Sequence, residues 1–273
     1  MKLRISLVDY LNSAPLGWSF LHGPLKGKFE VIPSSPAECA DQLARGEVDV
    51  GLIPSIEYQR IPDLRIVPGI AVAASNRVRS VVLVRPKGKT EIRSVALDTS
   101  SRTSATLVRI LLRHRLGLQP ALVPHVPDVD RMLSGCDAAL IIGDAALRLP
   151  LAEYEVLDLA ETWIEWQKRP FVFAFWACRA DLEPDQDLVS IFREARNWGL
   201  EAREEIARVY AGILHLSQSS LQDYLHLNVD YNLGPAHVDG LTRFYQLAFE
   251  MAAIPELRPL DFLPAGINIE SPA

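Results

Sequence analysis

Short apolar runs alternate with helical patterns over the first two thirds of the chain. Residues 3–8 (LRISLV) read as a first strand. Ser35-Pro36-Ala37-Glu38 is a capping box with proline at the first helical position. Cys39, Ala40, Leu43 and Ala44 then share one face, and Gly46 stops the helix. Residues 48–53 (VDVGLI) follow as a buried strand ended by Pro54. This strand–helix–strand opening predicts a parallel sheet with a right-handed crossover. Residues 65–67 predict a short strand, and residues 80–84 (SVVLV) a clearer one closed by Pro86-Lys87-Gly88. After a polar break at 87–91 (KGKTE) a second series begins, with strands at 95–98, 121–123 and 138–142 (AALII). Ser100-Ser101-Arg102-Thr103-Ser104 opens a helix whose apolar face is Ala105, Leu107, Val108, Leu111 and Leu112, ended by Gly117. A short helix is expected at 129–133, and Gly143-Asp144 leads into a helical turn at 145–149.

Residues 171–178 (FVFAFWAC) are almost wholly apolar and predict a buried strand. Beyond them the chain turns helical: a long amphipathic helix at 188–214 broken near Trp198-Gly199, a second at 220–227, and a last one from Gly234-Pro235 through Ala253. Two such series joined by two long apolar strands predict two α/β lobes. Lobe one is expected to comprise residues 1–86 plus 179–273, and lobe two residues 87–178. Strands 80–84 and 171–178 are expected to run side by side as the crossings. A cleft between the lobes is the default ligand site.

Composition narrows the function. The 273 residues are 49% hydrophobic and 23% charged, which excludes disorder. Twenty-eight Lys+Arg against 34 Asp+Glu give a net charge of −6, so no broad basic face for nucleic acid is expected. Helix ends and single arginines still provide local positive potential for a small anion. Cys39, Cys136 and Cys178 are far apart, the six histidines fall in no metal spacing, and HExxH, GxSxG and GxGxxG do not occur. The expectation is three reduced core thiols and no metal, nucleotide or serine triad. The first apolar stretch meets Asp9 too soon for a secretory segment, and residues 170–178 are too short to span a bilayer. A soluble cytoplasmic protein without a membrane partner is expected.

The chemistry-bearing candidates sit after predicted strand ends, where loops of an open α/β sheet line the crevice. Tyr10-Leu11-Asn12-Ser13 offers an amide and a hydroxyl, for ligand contact or for capping the following helix. Ser55 either donates to a ligand oxygen or caps the 56–60 turn. The Ser100–Ser104 segment, with four hydroxyls and free amides at a helix start, is an anion-site candidate, with Arg102 available to a carboxylate. Gly143-Asp144 is either a plain N-cap or a crevice edge. Of the aromatic cluster, Phe171, Phe173 and Phe175 should share a strand face, most as core, with one or two left to wall a ring-shaped ligand.

DYLNSAPL, GEVDVGLIPSIEY, IIGDAAL and PFVFAFWA, in this order and spacing, resemble the chorismate dehydratase family of the futalosine route to menaquinone over residues 3–250. The resemblance implies a two-lobed type 2 periplasmic-binding-protein-like α/β fold. It also implies elimination of water from chorismate to give 3-[(1-carboxyvinyl)oxy]benzoate, with no cofactor or metal. Asn12 matches the asparagine of the family's YLNS motif, and the resemblance places it in the active site as the group that orients substrate and polarises the leaving hydroxyl. Ser55, Ser80, Thr103 and Ser104 match cleft-facing positions assigned to the substrate carboxylates, and Tyr10, Ser13, Arg102, Gly143, Asp144 and Phe173 complete the expected substrate-binding set. The stretch Gln167-Lys168-Arg169-Pro170 departs from the Thr-Gly-Leu-Pro-like segment common in the family, so no role is carried over to that loop. A monomer or weak homodimer with chorismate as its one partner is expected. Competing classes are a transport-type binding protein, a cytosolic sensor and the sibling 1,4-dihydroxy-6-naphthoate synthase, which depends on a lobe-two histidine base.

Overall fold

The computed structural model describes residues 2–182 and 187–264. The chain first lays down β1 (Arg4–Val8), α1 (Ala14–His22), β2 (Glu30–Ser34), α2 (Pro36–Ala44), β3 (Val50–Pro54) and β4 (Leu64–Ala74). It then crosses to a second sheet through β5 (Val81–Pro86), β6 (Ser94–Asp98), α3 (Arg102–Ile110), β7 (Ala121–His125), α4 (Val129–Gly135), β8 (Ala138–Ile142), α5 (Gly143–Leu147), β9 (Tyr154–Asp158) and α6 (Leu159–Gln167). It returns through β10 (Phe171–Arg179), α7 (Leu188–Glu201), α8 (Arg203–Leu214), α9 (Gln218–Asp223), β11 (Asp230–Leu233) and α10 (Pro235–Glu250).

The first sheet has the order β11-β4-β10-β3-β1-β2 and the second β7-β6-β8-β5-β9. In each, parallel pairs sit beside antiparallel ones: β1 runs parallel to β2 and β3, β6 parallel to β7 and β8, while β10 and β5 run antiparallel to their neighbours. The capping box at Ser35 forms as read from the sequence, with Ser35 Oγ accepting from the Glu38 amide at 3.3 Å.

Two expectations are corrected. Strands β5 and β10 do not run side by side. β5 pairs with β8 and β9 in the second sheet, and β10 pairs with β3 and β4 in the first. The strand at the end of the first segment therefore belongs to the second sheet, and the aromatic strand at the end of the second segment belongs to the first. Each crossing peptide turns just before its strand, with Arg79 at φ +64° and Lys168 at φ +56°. The long C-terminal helix breaks at Ala202, not at Gly199, where the backbone of Pro15 approaches so closely that only glycine fits.

One apolar core runs through both sheets. It takes Leu43, Ile53 and Ile56 from the first sheet's side, Val95, Leu107 and Leu140 from the second, and the aromatics Trp163 of α6, Phe171 of β10 and Phe244 of α10. Trp163 and Phe171 meet edge to face at 5.3 Å, an arrangement aromatic pairs favour. All three cysteines are buried and unpaired. Among the described residues no helix is long and apolar enough to cross a membrane.

Candidate functional site

The loops that follow strand ends in both sheets converge on one cavity. From the first sheet it is lined by Val8, Tyr10, Asn12, Ser13, Pro36 and Pro54; from the second by Val81, Ser101, Thr103, Ser104, Ile142 and Gly143; Val72, Phe173 and Ala174 form the floor. The cavity is small, about 50 Å³. Larger hollows of about 320 and 680 Å³ lie on the outer flank of the second sheet and beside Leu43, Arg60 and Arg179. Neither gathers loops from both sheets, and the small interlobe cavity is where the chemistry-bearing groups meet.

Asn12 sits in the turn between β1 and α1. Ser13 occupies the N-cap position of α1 but makes no capping bond with its side chain; its Oγ donates to Asn12 Oδ1 at 3.0 Å. That bond occupies the amide oxygen and leaves Nδ2 as the group available to a ligand. On the opposite wall, Ser101 is the N-cap of α3 and likewise makes no capping bond. Its Oγ donates to Ser104 Oγ at 2.8 Å. Thr103 and Ser104 are 2% exposed and sit over the unpaired amides of the first helical turn, where partial positive charge accumulates. Below them, Asp98 at the end of β6 accepts from the Ser100 amide and hydroxyl at 2.8 and 2.6 Å; burial pushes its carboxyl above the ordinary value. Burial also raises the Tyr10 hydroxyl, opposed by its contact with Ser100.

Phe173 reaches the cavity for a reason alternation does not give. Between Val172 and Ala174 the register of β10 on β4 slips, so Phe173 is the extra residue of a bulge, and bulges re-aim side chains. Phe171 and Phe175 stay in the core.

Four of the expected contacts lie elsewhere. Ser55 is fully buried, its Oγ donating to the Val172 carbonyl at 2.8 Å, beside Thr103 Oγ1 at 3.4 Å. Ser80 is also fully buried and accepts from the Tyr224 hydroxyl at 2.7 Å. Arg102 turns out of the cavity to Asp41, at 2.8 and 2.9 Å, and to Glu57 at 2.9 Å. Carboxylates already present in the fold occupy that guanidinium. Asp144 neither caps α5, whose N-cap is Ile142, nor lines the cavity; its Oδ1 accepts from the Leu11 amide at 3.0 Å. Ser101, part of the serine-rich segment expected as an anion site, also lines the cavity.

The fifteen residues lining the cavity include no Lys, Arg, His, Asp or Glu. The site therefore offers hydroxyls, one carboxamide, backbone amides and apolar walls.

A family model described as menaquinone biosynthesis matches residues 3–250. A chorismate dehydratase of Thermus thermophilus is 35% identical over 258 residues, covering 88% of this chain and 93% of the relative. A chorismate dehydratase of Campylobacter jejuni is 30% identical over 176 residues, 63% of this chain and 65% of the relative. Among solved structures, a protein of Archaeoglobus fulgidus superposes with a TM-score of 0.73 at 19% identity over 93% of this chain and 98% of that one. The periplasmic aliphatic sulphonate binding protein of Escherichia coli superposes with a TM-score of 0.63 at 16% identity over 100% and 97%. At those identities the two structures show the fold alone, that of periplasmic binding proteins.

Proposed function

The chain belongs to the menaquinone-biosynthesis family and is a chorismate dehydratase, a hydro-lyase, and we propose that it carries out the elimination in the cavity between its two sheets. Chorismate carries a ring carboxylate and an enolpyruvyl carboxylate. The proton at C3 is removed, its bonding electrons form the new C3–C4 π bond, and the C4–O bond breaks. The proton taken from C3 passes from the base to the departing hydroxide, which leaves as water, and the ring of 3-[(1-carboxyvinyl)oxy]benzoate becomes aromatic.

One observation carries the assignment of roles: a cavity with no titratable side chain among its lining residues apart from Tyr10. Burial raises the Tyr10 hydroxyl, so it is protonated at neutral pH and is not a base. The substrate's own enolpyruvyl carboxylate, tethered beside C3, is the remaining base. Tethering a reacting group is worth about 7–11 kcal/mol of barrier in favourable cases. No guanidinium or ammonium lines the cavity, so this carboxylate is not drained of basicity by an ion pair. Asn12 Nδ2 donates to the leaving hydroxyl, and Ser13 fixes the amide that does so. The hydroxyls of Thr103 and Ser104 and the free amides of the first turn of α3 receive a carboxylate, with Ser101 Oγ donating to Ser104 Oγ and orienting it. Phe173 and the apolar wall pack the ring. We assign residues 81–170 to one lobe and the remainder to the other. The lobes part to admit substrate to the cavity that loops of both sheets enclose. A cytoplasmic monomer or weak homodimer acting on this one small molecule completes the reading.

The test is incubation of metal-free protein with chorismate, followed by product mass and ultraviolet absorbance. Loss of one water with an aromatic product is expected. Tight binding with chorismate returned intact would replace the enzyme reading with a binding-protein one.

A further inference from the structure

Asp144 stands in the first turn of α5, at the end of β8 in the second sheet, yet its carboxylate serves the opposite lobe. Oδ1 accepts the Leu11 amide at 3.0 Å across a sequence separation of 133 residues. Leu11 is fully buried and immediately precedes Asn12. The other amides of this turn, Ser13 and Ala14, donate to the Tyr10 carbonyl; among the described residues Asp144 is the acceptor paired with Leu11. One residue earlier, the Tyr10 ring lies on Gly143. A Cβ at Gly143 would meet that ring at 3.0–3.2 Å, and its φ of +60° suits glycine. The second lobe thus grips the Tyr10–Leu11 peptide at two points, the ring and the amide, one residue from the Asn12 side chain. A capping role does not account for Asp144, because its side chain bonds across the cavity and not to α5.

We propose that Asp144 is a positioning residue for the dehydration, fixing the Asn12 turn from the opposite lobe so that Nδ2 is aimed at the leaving hydroxyl when the lobes are shut. The proposal rests on the assignment of Asn12 above. Burial pushes the Asp144 carboxyl up to about 6, opposed by the Leu11 amide and Arg148 and reinforced by Asp9. The other ionisable groups that sense it are Tyr10, Tyr210 of α8 and Tyr224 in the turn after α9, all with raised hydroxyl values. Its ionised form is the stronger acceptor, so the grip weakens as pH falls through about 6.

The experiment compares the full chain with Asp144→Ala and Asp144→Asn. Steady-state turnover of chorismate is measured across pH, and the Leu11 amide is followed by ¹H–¹⁵N spectroscopy. In the wild type the Leu11 resonance should titrate near pH 6, and in Asp144→Asn that titration should vanish. Asp144→Ala should lower kcat on the order of a hundredfold, with KM changing by less than about threefold, as expected for a displaced catalytic group. Asp144→Asn, whose amide oxygen can still accept from Leu11, should recover most of that loss and lack the acidic limb. Turnover of folded Asp144→Ala within about twofold of wild type, a loss carried by KM, or a Leu11 amide indifferent to both substitutions would overturn the proposal. Failure of the wild type to dehydrate chorismate would instead overturn the catalytic reading, and the Leu11 titration would still report on the grip itself.

Discussion

Arg102 and Asp144 both reach from the second lobe to the first, by opposite means. Arg102 is about a third exposed, forks onto Asp41 of α2 and shares Glu57 with Arg60; charge stands on both sides of the contact. Asp144 is largely buried and meets a neutral backbone amide. The Arg102 contact seats α3 against the first lobe and is helped by Thr103 Oγ1, which accepts from the Ile56 amide at 3.2 Å. The Asp144 contact seats a turn of four residues. One sets where the walls of the cavity stand; the other sets what one wall presents. The comparison also separates two meanings of a charged residue near a site, since neither side chain lines the cavity.

The sharpest break of this comparison removes the group that the Asp144 side presents. Asn12→Ala should lower kcat by on the order of a thousandfold while chorismate analogues still bind, comparable to loss of a strong transition-state donor; near-normal turnover would remove Asn12 from the mechanism. Next comes the opposite wall. Thr103→Val with Ser104→Ala removes two donors to a carboxylate and should raise KM on the order of a hundredfold with a smaller change in kcat. Retained affinity in a binding titration would move the anion site. Third, the two interlobe contacts should respond oppositely in stability. Asp144 has a folded value of about 6 against an ordinary 3.8, so ionisation opposes folding as pH rises through that window. Asp144→Asn should therefore stabilise the chain by up to about 3 kcal/mol at pH 8 and by almost nothing near pH 4, read by denaturant unfolding at both values. Smallest, Arg102→Gln should destabilise by about 1–2 kcal/mol at low salt, less at high salt, because Glu57 keeps Arg60.

Most of the strands that the pattern predicts are buried, β7 being a largely exposed exception. β3 and β8 are wholly buried and read as unbroken apolar runs. β2, β9 and β11 were not found: EVIPS and YEVLD are half-exposed and DYNL alternates polar with apolar, so none forms an apolar block. β4 was read as three residues and spans eleven, because Pro68-Gly69 in its middle signals a turn. For the site, Tyr10, Asn12, Ser13, Thr103, Ser104 and Gly143 meet at the cavity because loops after strand ends must line it, and Phe173 joins them through the bulge in β10. Ser55, Ser80, Arg102 and Asp144 do not, because their partners Val172, Tyr224, Asp41 and Leu11 lie 117, 144, 61 and 133 residues away. Local sequence carries no trace of those competitions.

A cavity lined without side-chain cations bears on how substrate arrives. The protein carries a net charge of −6 and offers no side-chain cation at the cavity to offset it, so a dianion approaches against the field. Dissolved ions shorten the range of that repulsion to about 10 Å at 0.1 M. Capture should therefore quicken as ionic strength rises, the reverse of an enzyme that draws its substrate in with arginines.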